Sequence, residues 1–298
     1  MIETMIQQRR RSLGGFDVGR VLPAAARRMV GPFVFFDHMG PLDMPPGVSR
    51  AVDVRPHPHI GLSTVTYLFS GEIVHRDSVG SEQAIRPGEV NWMVAGRGIT
   101  HSERFERARR QGDQLHGIQA WVALPKADEE TEPSFSHHAG DDLPAWREGG
   151  VRGRLIAGRA FGLSAKVRTH SPLFYAHLHM DAGATAALPN QPERALYVAA
   201  GAVEMEGQRC MTVRWPSSDL VRTAYPRSCR RSSCCSAGNP WARAFCTGIL
   251  SRLQRSGLNR QRRTGALAAS SCLISTTTSL FRCPRRQRHR ENLRRDRG

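Results

Sequence analysis

Cysteine is missing from the first 209 residues of this 298-residue chain; all seven (Cys210, Cys229, Cys234, Cys235, Cys246, Cys272 and Cys283) come after Gly207. The front therefore has no disulfide framework and no thiolate metal site, and it is compatible with a reducing cytosol. The odd number and irregular spacing of the late cysteines argue against a disulfide scaffold there. No CxxC pair occurs, which argues against a zinc ribbon. No run approaches the roughly 20 apolar residues that span a bilayer. The start, MIETMIQQRRRSLGG, lacks the apolar core of a secretory signal. The expectation is a soluble, cytoplasmic protein with no membrane partner.

Lysine is also missing, but only from the end. From Gln208 onward there are 20 Arg, no Lys and only three acids, Asp219, Glu291 and Asp296. The formal net charge of +17 therefore sits entirely in the last third; before Gln208, 23 basic residues balance 23 acidic ones. A net charge this large would ordinarily point to an anionic partner. Here nucleic acid is expected only if the basic tail is a genuine arm.

Histidine shows the opposite split, with 11 of 12 lying before Gly207. Four ligand-type residues stand out: His57 and His59 with one residue between them, and His101 and Glu103 spaced the same way. Alternate side chains of a strand share a face, so each pair aims two donors in one direction. Two neighbouring strands of this kind would converge three imidazoles and a carboxylate on one point. That set suits a mononuclear ion such as Fe(II) that keeps coordination positions open.

The surrounding pattern is that of strands. Pro32–Phe36 is a compact apolar run ending at Asp37-His38 and reads as a buried strand. Residues 60–124 look all-β: Ser63–Phe69, Glu72–Ser78, Gln83–Ile85, Val90–Val94 and His116–Leu124 are short strand-like runs. Between them, Pro87-Gly88 matches the centre of a type II turn. Such density of strands and turns argues for a barrel or sandwich. Lys126–Gly150 is polar and acidic and reads as a connector. Strand patterns resume at Gly153–Ala157, Phe174–Met180 and Arg194–Met205, and collapse after Gly207.

The segment Arg55-Pro56-His57-Pro58-His59-Ile60-Gly61-Leu62-Ser63-Thr64-Val65-Thr66-Tyr67 resembles the signature of the pirin family, within the cupin superfamily. So do His75-Arg76-Asp77-Ser78, Arg86–Met93, Ala95–Ile99, His101-Ser102-Glu103, Phe36–Pro41 and Gly117–Val122. The resemblance covers about residues 10–207. It implies an all-β bicupin: residues 1–130 as an N-terminal cupin with the metal site, 131–150 as a connector and 151–207 as the start of a C-terminal cupin. Residues 208–298 are expected to be an aberrant basic tail, out of frame or disordered, leaving the second barrel incomplete. Many cupins take a carboxylate ligand soon after the His-x-His pair, where this chain has Ser63 and Thr64. Pirins take it at the position of Glu103, so the resemblance selects His57, His59, His101 and Glu103, usually around Fe(II).

Some bacterial pirins resemble quercetinases, which open the central ring of a flavonol with O2 and release carbon monoxide. On that model Glu103 is both ligand and candidate catalytic base. Animal pirins resemble redox-sensitive transcription cofactors, so the alternative is a non-catalytic iron-binding regulator that docks to a transcription factor or a metabolic enzyme. His116 is read as a surface or packed histidine, with a place behind the ligands left as the alternative for it and for His38. His75, His137 and His138 are read as surface or packed histidines. His177 and His179 share a strand face but lack a carboxylate partner like Glu103, and are read the same way.

Overall fold

Runs rich in Val, Ile, Thr, Phe and Tyr dominate residues 60–124, and the computed structural model is mostly β-sheet. It describes residues 2–205, 208–211 and 244–251. These belong to one unit, Met1–Gln254; the second unit, Arg255–Gly298, lies outside the described residues. The strands in order are β1 Arg9–Ser12, β2 Asp17–Leu22, β3 Phe33–Met44, β4 Val54–His59, β5 Leu62–Ser70, β6 Ile73–Asp77, β7 Glu82–Ile85, β8 Val90–Val94, β9 Ile99–Arg104 and β10 Asp113–Ala123. They continue as β11 Ser134–His138, β12 Ala145–Glu148, β13 Val151–Ala160, β14 Leu163–Ser164, β15 Leu173–Met180, β16 Glu193–Val198, β17 Ala202–Met205, β18 Gln208–Met211 and β19 Ala244–Ser251. Among the described residues one short α-helix, α1, covers Glu106–Gln111.

A seven-stranded sheet runs β1-β2-β3-β10-β5-β8-β11, and a four-stranded sheet runs β4-β9-β6-β7. A third sheet has the order β12-β13-β15-β19-β16, with β14 paired to β13, and β17 and β18 form a hairpin. The period of two sorts the large sheet into two faces. Val65 and Tyr67 of β5, Val90 and Trp92 of β8, and Ile118, Ala120 and Val122 of β10 share a core cluster with Ile156, Leu173 and Tyr175 of the third sheet. Leu68 and Leu115 join Ile73, Ile85 and Phe105 in a second cluster, between the large sheet and the four-stranded one. Full burial of one such side chain is worth about 1.5–3 kcal/mol, so these two clusters, not local propensity, hold the sheets in place.

Several expectations are met at the level of elements. Pro87-Gly88 forms the expected turn: Glu89 N donates to Arg86 O at 3.1 Å, and Gly88 has φ of +82°. Others shift. The apolar run at Phe33 does not end at Asp37-His38; β3 continues to Met44. The stretch expected to be a connector holds two strands. β11 pairs with β8 at the edge of the large sheet, and β12 pairs with β13. Of the tail 208–298, β18 and β19 are described, and β19 pairs with both β15 and β16. The rest of that tail, with the reading of it as out of frame or disordered, lies outside the described residues.

The opposite end of the large sheet is β1, whose Arg9, Arg10 and Arg11 are all exposed. Arg10 pairs with Asp17 on β2.

Candidate metal centre

The four-stranded sheet carries the site. β4 and β9 are antiparallel, with His57 directly opposite His101. Directly opposed residues point to the same face, so His57, His59, His101 and Glu103 line one side of two adjacent strands. A register irregularity between Val54 and His57 bends β4 before the first histidine. The loops at that end are tied together, with Gly61 N donating to Gly96 O at 2.8 Å. Gly96 has φ of +50°, and a Cβ there would fall 1.9 Å from Thr131 O, so only glycine fits the turn into β9.

Three of the four expected ligands come together. The ligand nitrogens of His57, His59 and His101 all lie within 4.8 Å of one another. His59 Nε2 is 3.0 Å from His101 Nε2. Imidazole nitrogens held about 2.1 Å from one cation at right angles stand about 3.0 Å apart, so the spacing fits a shared ion. His57 Nδ1 donates to Arg55 O at 2.9 Å, which leaves its Nε2 lone pair available. Burial depresses His59 to about 4 and His101 to about 2, and in both cases neighbouring histidines add to the effect. Both rings are therefore neutral at pH 7, the state a metal ligand needs.

Glu103 follows His101 on the same strand face and is buried. The group that closes to 4.8 Å is the three imidazoles; Glu103 lies beside it, not within it. Burial raises the Glu103 carboxyl to about 7. Beyond the ligands, Trp121 of β10 meets His59 edge-on at 5.0 Å between ring centroids, and Phe35 stacks on Trp121 at 4.0 Å. Arg20 lies over Phe35 at 4.4 Å and pairs with buried Asp37 through two hydrogen bonds of 2.9 Å. A row of flat groups thus runs from β2 across β3 and β10 to the histidines.

His75, read as an ordinary packed histidine, sits against the ligands instead. It is opposite Glu103 on the neighbouring β6, and Asp77 is opposite His101. His75 Nδ1 is 3.3 Å from His101 Nδ1, and its Nε2 is 2.8 Å from Asp77 Oδ2. Burial lowers the His75 pKa despite Asp77; burial would raise Asp77, but hydrogen bonds from His75 and Ser81 hold it low. The available signal was the His-x-Asp spacing itself, the third such pair in the region.

Four of the remaining histidines have other partners. His38 contacts His116 at 2.7 Å and Tyr197 at 2.6 Å, so this pair bonds to itself and to β16. His177 Nδ1 is 2.9 Å from the Tyr67 hydroxyl, and His137 Nδ1 is 2.8 Å from Asn91 Oδ1. Among the described residues, the His57, His59, His101 set is the only group of three such side chains close enough to share an ion.

A family model described as Pirin matches residues 15–122. A pirin-like protein of Caulobacter vibrioides is 57% identical over 234 residues, which cover 76% of this chain and 81% of that protein. The pirin of Rattus norvegicus is 32% identical over 181 residues, covering 60% of this chain and 55% of that protein; the chain thus spans about half of that relative's length. Among solved structures, a quercetin 2,3-dioxygenase from Acinetobacter baumannii superposes with a TM-score of 0.64 at 30% identity, covering 82% of this chain and 70% of that one.

Proposed function

Because the chain belongs to the pirin family, we propose that it is a metal-dependent dioxygenase that opens the central ring of a flavonol such as quercetin with O2 and releases carbon monoxide. The observation that carries this reading is the convergence of three imidazoles beside a buried carboxylate. The fold that goes with it is a bicupin with the metal in the first barrel and a second barrel, starting near Val151, that is incomplete. The protein works in the cytoplasm.

His57, His59 and His101 would hold the ion, which we take to be Fe(II), with Glu103 beside them as the expected fourth ligand. A divalent ion there supplies an electrophilic anchor with open coordination positions. Glu103 takes the proton from the flavonol hydroxyl, making the ring electron-rich enough for oxygen to attack. Burial raises the Glu103 carboxyl before metal binds, and a buried carboxylate beside the ion is placed to accept that proton. Trp121, edge-on to His59 and stacked on Phe35, puts an apolar ring beside the histidines, which suits a planar aromatic substrate.

The test uses the full chain loaded with Fe(II) without oxygen, then mixed with quercetin and O2. Loss of the flavonol absorbance together with one carbon monoxide per quercetin is the expected result. Metal-loaded protein that leaves a whole panel of flavonols untouched would overturn the enzymatic reading and favour an iron-binding regulator docking to a transcription factor or metabolic enzyme.

A further inference from the structure

We infer that His75, anchored by Asp77, is a positioning residue that sets the tautomer of His101, so that the His101 nitrogen facing His59 carries the lone pair. The inference deepens the metal reading above and rests on His101 being a ligand.

The argument starts at Asp77. Its Oδ1 accepts hydrogen bonds from the backbone N–H groups of Val79 at 3.1 Å and Ser81 at 2.9 Å. Its Oδ2 faces His75 Nε2 at 2.8 Å. An ionised carboxylate only accepts, so His75 Nε2 carries the hydrogen. In a neutral imidazole the other nitrogen, Nδ1, is then an acceptor. That nitrogen lies 3.3 Å from His101 Nδ1, a long but bonding separation. Since His75 Nδ1 has no hydrogen to give, His101 Nδ1 must supply it. The lone pair of His101 is thereby left on Nε2, the atom 3.0 Å from His59 Nε2. The order of donors runs one way, from His101 through His75 to Asp77.

Packing keeps the chain in register. Phe135 of β11 stacks on the His75 ring with centroids 4.4 Å apart and planes at 16°. The pairing of β6 with β9 fixes Asp77 opposite His101. Groups that fix the orientation and tautomer of a ligating histidine typically change metal affinity by about 10–100-fold when removed.

Asp77→Asn is the decisive variant. Val79 and Ser81 still require an acceptor at Oδ1, so the amide nitrogen takes the place of Oδ2 and can only donate. His75 Nε2 must then accept, its Nδ1 must donate to His101 Nδ1, and His101 Nε2 becomes protonated. The shape is kept and the order of donors is reversed. His75→Phe removes the acceptor but keeps a ring for Phe135 to stack on.

Two measurements test the inference. Long-range nitrogen–proton NMR on the metal-free full chain at neutral pH is expected to show His101 protonated on Nδ1; protonation on Nε2 would overturn the inference, whether or not any variant folds. Co(II) titration is expected to give roughly 10–100-fold weaker binding for Asp77→Asn and His75→Phe than for the wild type. Wild-type affinity and an unchanged Co(II) spectrum in both variants would overturn it too. Failure of the wild type itself to bind Co(II) would instead sink the metal reading, and the purpose given to His75 with it, whatever the tautomer.

Discussion

His38 Nδ1 lies 2.6 Å from the Tyr197 hydroxyl and joins β3 of the large sheet to β16 of the third sheet. Tyr197 donates its own hydrogen to Gln8 Oε1 at 2.9 Å, so it accepts from His38 Nδ1. His38 Nε2 then accepts from His116 Nε2 at 2.7 Å. The chain works only while His38 has a free lone pair, and burial lowers its pKa to about 3 and that of His116 to about 4.

Acid should therefore weaken the fold. A histidine with a depressed folded pKa binds fewer protons folded than unfolded, so its contribution is complete above the unfolded value of about 6.5 and is lost as pH falls toward the folded one. For His38, which is buried, the loss at pH 5 is about 2 kcal/mol. Urea midpoints at pH 7 and pH 5 are expected to fall in the wild type, and to fall by that much less in His38→Gln. Equal slopes in the two proteins would remove His38 as a cause.

Glu103→Gln keeps the volume and a ligating oxygen but cannot accept a proton. It should retain metal and lose about 100- to 10,000-fold in flavonol turnover. Equal turnover at matched metal loading would take the role of base away from Glu103.

Metal content should follow the triad. His59→Ala or His101→Ala is expected to drop bound metal from one per chain toward none, because each removes one of three converging nitrogens. His177→Ala and His179→Ala should leave the stoichiometry at one. Elemental analysis of the purified proteins decides; metal lost equally from all four would point away from a single N-terminal centre.

Asp37 is only 2% exposed, and Arg20 packs between it and Phe35. Asp37→Ala leaves the partly exposed Arg20 guanidinium without its partner and should destabilise the protein by about 1–3 kcal/mol. Replacing both residues, Asp37→Ala with Arg20→Met, should recover much of that loss. A thermal melt of the double variant no better than that of the single one would show that the pair is needed for more than charge balance.

Much of the site was legible because period two is a local property. His57-x-His59 and His101-x-Glu103 fix which face each pair uses wherever their strands lie. Which strands are neighbours is not local. His75-x-Asp77 has the same spacing, yet its role depends on β6 lying beside β9, which no feature of the segment itself reveals. The stretch Lys126–Gly150 hid two strands because edge strands pair through the backbone and need no apolar face; in Ser134–His138 the first residue is exposed and the other four are half-buried. The second half of β3 hid behind Gly40-Pro41, which reads as a break. A Cβ at Gly40 would sit 2.0 Å from Leu115 O, so that glycine answers to the close approach of β10.

The arginine-bearing strand at the margin of the seven-stranded sheet bears on how the molecule behaves in company. An unpaired margin invites another chain to add on and start fibrous growth. Arg9 and Arg11, with the Arg10 charge offset by Asp17, place like charges where a second copy of the same strand would have to dock. Self-repulsion at that rim makes stacking of copies along it unfavourable, most of all in dilute salt, where such charges are least screened. Crowded solutions of the protein are thus guarded at this rim by the residues that least resemble a strand.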